Sequence, residues 1–476
     1  YESLNRIIPD SVKEFFNLDN WLWTQKLMRN NTEEISDEYE EQPTLDRARE
    51  EIIQEYNQID DLKKEAALNE KFYFAINLKK TLKTIEDTHL FDYLGSRNVL
   101  PKYGFPTDVV PLRTNHLHID EAKQVDLQRD LRIAIGEFAP DNSIVAAKKI
   151  WVSGGVYKPP SKNWLTYSYA NCMNCKRFYF SSKETEKITT CPNCGEQINK
   201  ARKSHSGIFI IPQFGFIAKN ETLKSSSESR PKNFYSIKTH FAEYRLPGEK
   251  VSFSAMLQND PNLSNENVQI KKHYSRYGWL VALNEGPVGR GYRICDICGY
   301  ATSQFPTRNN PPHKNPLTDK TCTGTIKYYS LGHRYMTDVL ELQINANYAD
   351  PNDYELWLSL LYALLEGASN VLGIRRDDIN GALHYRHDSY IPSLIIFDDV
   401  PGGAGHVEFI SKKLKETIQA AYERVHHPCC GPETSCYECL RNYRNQSFHD
   451  KLKRGKVNAF LGRLLTDLRI LEKKMS

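Results

Sequence analysis

No G-x-x-x-x-G-K-[ST] occurs anywhere in the 476 residues, so the amides and lysine that cradle ATP phosphates in that motif are missing. Charge of one sign is not in excess either. Lys and Arg number 63 against 59 Asp and Glu, a net charge of +4, so any basic surface must be local. No signal peptide is visible, and the most apolar helical run, LWLSLLYALLEGASNVLGI (356–374), contains Glu366 and Asn370. That run reads as a buried core helix, not a membrane span. These absences point to a soluble chain in a reducing, cytoplasmic compartment. The first residue is Tyr, not Met, which reads as a fragment or a processed product. Composition is otherwise ordinary, 40% hydrophobic and 26% charged, enough for two to four folded domains.

None of the eleven cysteines is isolated. Cys172, Cys175, Cys191 and Cys194 form CMNC followed by CPNC. Each CxxC turn converges two thiolates on one tetrahedral ion, and the intervening stretch suits the hairpin of a zinc ribbon. A redox pair needs one CxxC only. Cys295, Cys298 and Cys322 are one donor short, and His313 between them would complete a Cys3His set, with His333 or water as alternatives. Cys429, Cys430, Cys436 and Cys439 need an irregular loop, because adjacent cysteines point different ways on regular backbone. Pro428, Gly431 and Pro432 supply it. Four, three and four exhaust the cysteines, whereas a disulfide scheme leaves one thiol over. About three structural Zn2+ ions are expected, and closed four-donor sites favour a scaffold role over metal catalysis.

The pattern along the chain is mixed α+β. Residues 1–35 read as helical, an acidic connector spans 33–43, and 44–83 reads as one or two long helices with charges at helical spacing. Residues 90–114 read as a loop ending in a strand, 125–260 as strand-like around the first ribbon, and 220–233 as a polar loop. HRYMTDVLELQI (333–344) alternates as a strand, 353–372 is the core helix, and PSLIIFDDV (392–400) is a strand of a buried sheet. In HVEFISKKLKETIQAAYERVHH, Val407, Ile410, Leu414, Ile418, Tyr422 and Val425 trace one buried helix face. The expected organisation is a helical region at 1–89, a connector with strands at 90–170 and a zinc ribbon at 171–206. A β-rich region at 207–290, a second zinc module at 291–330 and a C-terminal α/β zinc-binding domain at 331–476 follow.

PGGAG (401–405) joins a strand to a helix, where amides can hold an anion or glycines can simply permit a tight turn. A metal-dependent nuclease would draw on Asp388, Asp398, Asp399, His406 and Glu408. The structural alternative has Asp399 capping the loop before the helix while Asp398 faces the other way. Basic residues cluster in LRNYRNQSFHDKLKRGK (440–456), where Arg441, Arg444, Lys451, Lys453, Arg454 and Lys456 alternate with Tyr443, Phe448 and His449. Cations for phosphates and aromatics for bases suit a single-stranded backbone. The alternative is a helix end whose arginines pair with acids and cap carbonyls. NKARKSHS (199–206) is a second basic cluster.

The tail FDDVPGGAGH … CC … CYECLRNYRNQSFHDKLKRG resembles the zinc-binding C-terminal domain of the mitomycin-repair helicase family, which also occurs in DISARM- and Druantia-type phage-defence helicases and their partners. SRNVLPKYGFPTDVV (96–110), QRDLRIAIGEFAPDNSIVAAKKIWVSGG (128–155) and LGHRYMTDVLEL (331–342) resemble the region that joins the motor lobes to that domain. The resemblance covers roughly 90–460. It implies that Cys429, Cys430, Cys436 and Cys439 are zinc ligands and that the chain is part of a superfamily-two, ATP-dependent DNA helicase. Neither the nucleotide-binding loop nor a DEAH-like box is present here. The chain is therefore either the C-terminal half of a helicase whose motor lobes lie outside it or a separate subunit that assists one. Its expected partners are single-stranded DNA, through Arg441, Tyr443, Arg444, Lys451, Lys453 and Arg454, and motor domains in cis or in trans. The competing reading is a scaffold that docks a helicase partner.

Overall fold

The computed structural model describes residues 45–86 and 108–470, apart from 70–71, 118, 160–161, 173, 182–187, 192–193, 199–204, 220–236, 247–251, 254 and 306–311. The helix expected over 1–35, the acidic connector, most of the 90–114 loop, the polar loop at 220–233 and most of the basic cluster at 199–206 lie outside the described residues. The chain divides into Tyr1–Val109 and Val110–Ser476. In the first unit, the helical stretch resolves into two helices, α1 (Leu45–Leu68) and α2 (Phe72–Glu86). They run antiparallel, burying Ala66 and Leu82, with the Tyr56 hydroxyl donating to Glu86 at 2.8 Å.

The second unit is mixed α+β. Its smaller sheet has the order β2–β1–β8–β4–β3, built from β1 (Val109–Arg113), β2 (Gln128–Asp130), β3 (Ser143–Ala146), β4 (Lys149–Val156) and β8 (Phe216–Ala218). The short helix α3 (Asp120–Gln124) lies between its first two strands. Although 125–260 reads as strands, Leu131–Glu137 is a helix, α4. Asp130 accepts the Arg132 amide at its N-terminus (3.0 Å), and Leu131, Ala134 and Ile135 bury beneath it. The β3–β4 hairpin turns through Ala147 and Lys148, both left-handed (φ 49° and 60°), a conformation that the sequence does not advertise with Asn or Gly.

The larger sheet has eleven strands. Its path β10–β11–β16–β7–β5–β6 comprises β5 (Leu165–Asn171), β6 (Phe178–Ser181), β7 (His205–Ile211), β10 (Gln258–Asn259), β11 (Val268–Asn284) and β16 (Ile326–Ala346). The remaining strands are β9 (Ile237–Tyr244), β12 (Tyr292–Cys295), β13 (Ala301–Thr302), β17 (Ile379–His384) and β18 (Ser393–Asp398). A separate ladder joins β14 (His313–Lys314) to β15 (Thr321–Cys322). The spine is β16. It pairs with β11 for most of its length and with β12 further along, while β7 and β18 meet it opposite β11. The module boundary expected at 330/331 falls inside this strand.

Two hydrophobic cores lie on either side of the sheet's C-terminal part. Ile395 and Phe397 of β18 face one, Leu394 and Ile396 the other, and Val339 and Leu340 of β16 divide in the same way. Burial on both faces explains why SLIIFD is a continuous apolar run instead of an alternating one. The second core is closed by α5 (Tyr354–Leu372), α6 (His406–Lys412), α7 (Leu414–His426) and α8 (Arg454–Asp467). Gly367 lets α5 approach α7, since a Cβ there would lie 2.5 Å from the Thr417 carbonyl oxygen. The single helix expected after PGGAG is broken at Lys413 (φ −107°, ψ 35°), where no Gly or Pro marks it. Among the described residues no helix is long and apolar enough to cross a membrane.

Candidate metal centres and nucleic-acid interface

The first cysteine set sits beyond β5 on two tight turns. The Cys172 amide donates to the Arg177 carbonyl (2.9 Å) and the Cys191 amide to the Glu196 carbonyl (2.8 Å), with Lys176 and Gly195 left-handed at the tips. This folds each CxxC back on itself. Sγ atoms of Cys172 and Cys194 stand 3.6 Å apart and those of Cys175 and Cys191 3.5 Å. Four thiolates about 2.3 Å from a tetrahedral ion would stand about 3.8 Å apart, whereas a disulfide requires about 2.05 Å. Burial pushes the Cys172 thiol up to about 12, so only a cation among these sulfurs would make it a thiolate near neutral pH.

In the second set, β12 delivers Cys295 and the turn to Tyr300 brings Cys298 back, with Gly299 left-handed. Amides point at the sulfurs: Cys298 N–H donates to Cys295 Sγ (3.5 Å), Tyr300 N–H to Cys298 Sγ (3.5 Å) and Gly324 N–H to Cys322 Sγ (3.3 Å). Such bonds stabilise thiolates and orient them. His313 faces Cys322 across the β14–β15 ladder, stacks on Tyr300 and is buried with no hydrogen-bond partner for Nε2. A buried, unsatisfied imidazole nitrogen beside three cysteine sulfurs fits a fourth metal donor. The alternative, His333, stacks instead on Tyr335 in β16 and is not in the group.

The third set follows α7. Its sulfurs approach at 3.4 Å (Cys429–Cys436), 3.8 Å (Cys430–Cys439) and 3.8 Å (Cys436–Cys439). The Cys436 carbonyl accepts from the amides of Cys439, Leu440 and Arg441, which winds CYEC into a knuckle. Burial raises Cys439 and lifts Cys429 to about 11. In each of the three sets, the four donor atoms lie within 4.8 Å of one another. Among the described residues these are the places where three or more His, Cys, Asp or Glu donors converge.

The carboxylates of the nuclease reading are absent from those groups, and the structure assigns them other work. Asp398, fully buried, accepts the amides of Ala404 (2.6 Å), His406 (3.2 Å) and Val407 (3.1 Å), so it caps the turn into α6. This reverses the expected division, in which Asp399 capped. Asp399 instead forms ion pairs with Arg132 and Arg444. Asp388 pairs with Arg386 (2.9 Å) and Glu408 with Lys412 (2.7 Å). In PGGAG, Gly402, Gly403 and Gly405 are left-handed, and the Gly402 amide donates to the Met336 carbonyl (2.7 Å), which lays the turn along β16. Burial and the neighbouring Asp398 raise the carboxyl of Asp338 beneath this turn, while the Tyr274 hydroxyl donates to it at 3.3 Å.

The basic tail is largely turned inward. Arg454 is buried, and its guanidinium donates to the carbonyls of Cys430 (2.8 Å), Val425 (2.9 Å) and His427 (3.4 Å), tying α7 to the cysteine loop. Arg441 donates to Ser435 Oγ, Thr434 Oγ1 and the His449 carbonyl. Lys456 pairs with Asp353 and Glu355, each at 3.0 Å, Lys453 reaches Glu355 at 4.0 Å, and Lys451 lies over the Tyr354 ring. Tyr443 is exposed and Arg444 half-exposed on a 3-10 turn (Tyr443–Phe448). Sequence reasoning missed Arg132, whose role rests on a partner 267 residues away.

Comparison with known proteins bears on this geometry. The family described as the MrfA Zn-binding domain matches residues 360–440, which include Cys429, Cys430, Cys436 and Cys439. The Druantia protein DruE of Escherichia coli (strain UMEA 4076-1) is 25% identical over 408 residues, covering 77% of this chain. The chain spans about a fifth of that relative's length, 21%. Of solved structures, the DUF1998 helicase MrfA bound to DNA aligns with 76% of this chain and 33% of its own, at 11% identity and a TM-score of 0.32. MrfA crystallised without DNA aligns with 75% of this chain and 34% of its own, at 11% identity and a TM-score of 0.29. The match to the MrfA Zn-binding domain over residues 360–440 thus falls on the part of the chain that carries the tail motif.

Proposed function

We propose that this chain is a zinc-stabilised accessory region of a superfamily-two ATP-dependent DNA helicase, serving DNA repair or anti-phage defence, with motor lobes supplied from outside it. The observation that carries this reading is the third cysteine set. It lies inside the matched segment 360–440 and is followed at once by a loop that the metal would hold in place. Cys429, Cys430, Cys436 and Cys439 would hold one Zn2+, as would Cys172, Cys175, Cys191 and Cys194, and Cys295, Cys298, His313 and Cys322. When bound, zinc supplies a four-way crosslink with no open coordination position, so the sites are structural. The chain's own residues do the rest: Arg441 and Arg454 brace the loop from within, and Tyr443 and Arg444 are offered outward to single-stranded DNA.

A second reading, a scaffold that docks a helicase partner, is favoured by the internal engagement of Arg441 and Arg454 and by the exposed apolar side chains of Val400 and Phe409. One experiment separates the two: titrate the purified chain into a fluorescein-labelled oligothymidylate at several salt concentrations. The accessory reading expects log K to fall by roughly 0.7 per phosphate contact for each tenfold rise in salt. No binding at low salt overturns it in favour of the scaffold, and well under two equivalents of zinc in the preparation overturns the metal assignment of both.

A further inference from the structure

Asp399, at the end of β18, is 4% exposed, and its two oxygens are taken by different guanidiniums: Oδ1 by Arg132 of α4 and Oδ2 by Arg444. The two arginines are not equivalent. The Arg132 side chain is 14% exposed and lies over the Tyr335 ring. That of Arg444 is 42% exposed and reaches a second carboxylate at the surface, Asp377 (3.5 Å), as well as the Asp377 carbonyl (3.3 Å).

The backbone that carries Arg444 is fixed. The Asn442 side chain accepts the amides of Arg444 (2.9 Å) and Asn445 (3.0 Å), and Asn445 returns a bond to the Asn442 amide (2.9 Å). A rigid turn therefore presents a side chain whose own partners are exchangeable. Were Arg444 to swing away, Asp399 would keep Arg132, so no buried charge would be left unpaired, which is the costly outcome. Arg444 itself would give up an exposed pair with Asp377, which contributes little, and a pair with Asp399, whose carboxylate keeps Arg132. Losing Arg132 would instead strip the buried carboxylate of its enclosed partner.

The geometry points to a self-masked phosphate contact: Asp399 and Asp377 hold the Arg444 guanidinium where a nucleic-acid phosphodiester would otherwise bind, and the phosphodiester displaces them. This rests on the nucleic-acid reading above and adds its regulation. Both ligands are oxyanions that an arginine fork grips through paired charge-assisted bonds, so exchange keeps the guanidinium satisfied throughout. Arg132 is the fixed half of the pair, and it holds Asp399 in place to recapture Arg444.

The test measures oligothymidylate binding by Asp377→Asn and Asp399→Asn, each alone and combined with Arg444→Gln. Unmasking should tighten binding by about threefold in Asp377→Asn and by more in Asp399→Asn, and the gain should vanish with Arg444→Gln, together with about one unit of salt slope. Asp377→Asn lies at the surface and carries the test if Asp399→Asn fails to fold. If the wild type binds but Asp377→Asn changes neither affinity nor salt slope, the masking is refuted while the nucleic-acid reading stands. A gain that persists in the Arg444→Gln background also refutes it, because a general change of charge then explains the effect. No binding by the wild type or any variant removes both.

Discussion

His313 and Cys322 face each other directly across the short ladder of β14 and β15, one imidazole and one thiol on the same side of two paired strands. The pairing brings a donor at the start of β14 beside the cysteine that ends β15, and it explains why a histidine far from the Cys295–Cys298 turn completes the second set. His313→Ala should lower the zinc content by about one equivalent and destabilise the module. His313→Phe keeps a ring to stack on Tyr300 yet offers no donor, so it should lose the same equivalent. Full zinc content in His313→Phe, measured by elemental analysis, would remove His313 from the site.

Asp398 supports the turn into α6 by accepting three amides. Asp398→Ala should cost about 2–4 kcal/mol in denaturant unfolding, because three amide donors, that of Val407 buried, lose their acceptor. Asp398→Asn keeps one acceptor oxygen and should cost less. Equal losses in the two variants would show that the capping bonds are not what the residue contributes.

Gly403 is left-handed (φ 80°), and a Cβ there would meet the Asp338 carboxyl carbon at 2.5 Å. Both backbone and packing reject a side chain, so Gly403→Ala should lose about 1–3 kcal/mol. Gly402→Ala shares the left-handed strain (φ 88°) but meets open space, and should lose less. Chemical denaturation of the two variants in parallel separates strain from collision.

His240 stacks face to face on Phe178, with ring centroids 4.4 Å apart, and burial, reinforced by Lys238 against the opposing Glu285, pushes its imidazole from 6.5 down to about 4. The folded state holds the ring neutral while the unfolded chain protonates it below 6.5. Its contribution is therefore complete above pH 6.5, declines as pH falls towards 4 and levels off there. His240→Phe has no proton to take up. The stability difference between wild type and His240→Phe should shift by about 2 kcal/mol in the variant's favour between pH 7 and 5. Zinc release in acid affects both proteins alike and cancels. A pH-independent difference would mean that the ring is not protonated on unfolding in this range.

The parts of the site that were legible in sequence are those encoded by local spacing. CxxC turns, the irregular CC loop and the count of eleven cysteines identify three clusters, because a tight turn dictates where neighbouring thiols go. The core helix Tyr354–Leu372 and the strand Ser393–Asp398 follow from runs of apolar residues long enough to be buried all round. What stayed hidden is set by partners distant in sequence. Which of Asp398 and Asp399 caps the turn depends on where β18 stops relative to β16, and the fate of Asp399 depends on Arg132. The basic tail misled for a related reason. Arg441 and Arg454 look free in the bare sequence, but hydroxyls of the cysteine loop claim Arg441, and carbonyls at the end of α7 and in that loop claim Arg454. Composition cannot distinguish a cation that greets solvent from one that staples a loop.

The long strand β16 carries a consequence for how the matched segment can exist. One family description covers residues 360–440, yet β18 within that segment is edged by β16, and the loop after it hangs from Met336 and Thr337. Excised, the segment would keep the β17 pairing but present the other edge of the largely apolar β18 to water, a template for sticking to other copies of itself. The matched segment is completed by a strand from upstream of it. An expression fragment that begins after Ala346 should therefore aggregate, zinc or no zinc, while one that includes β11 and β16 retains the sheet that the matched segment finishes.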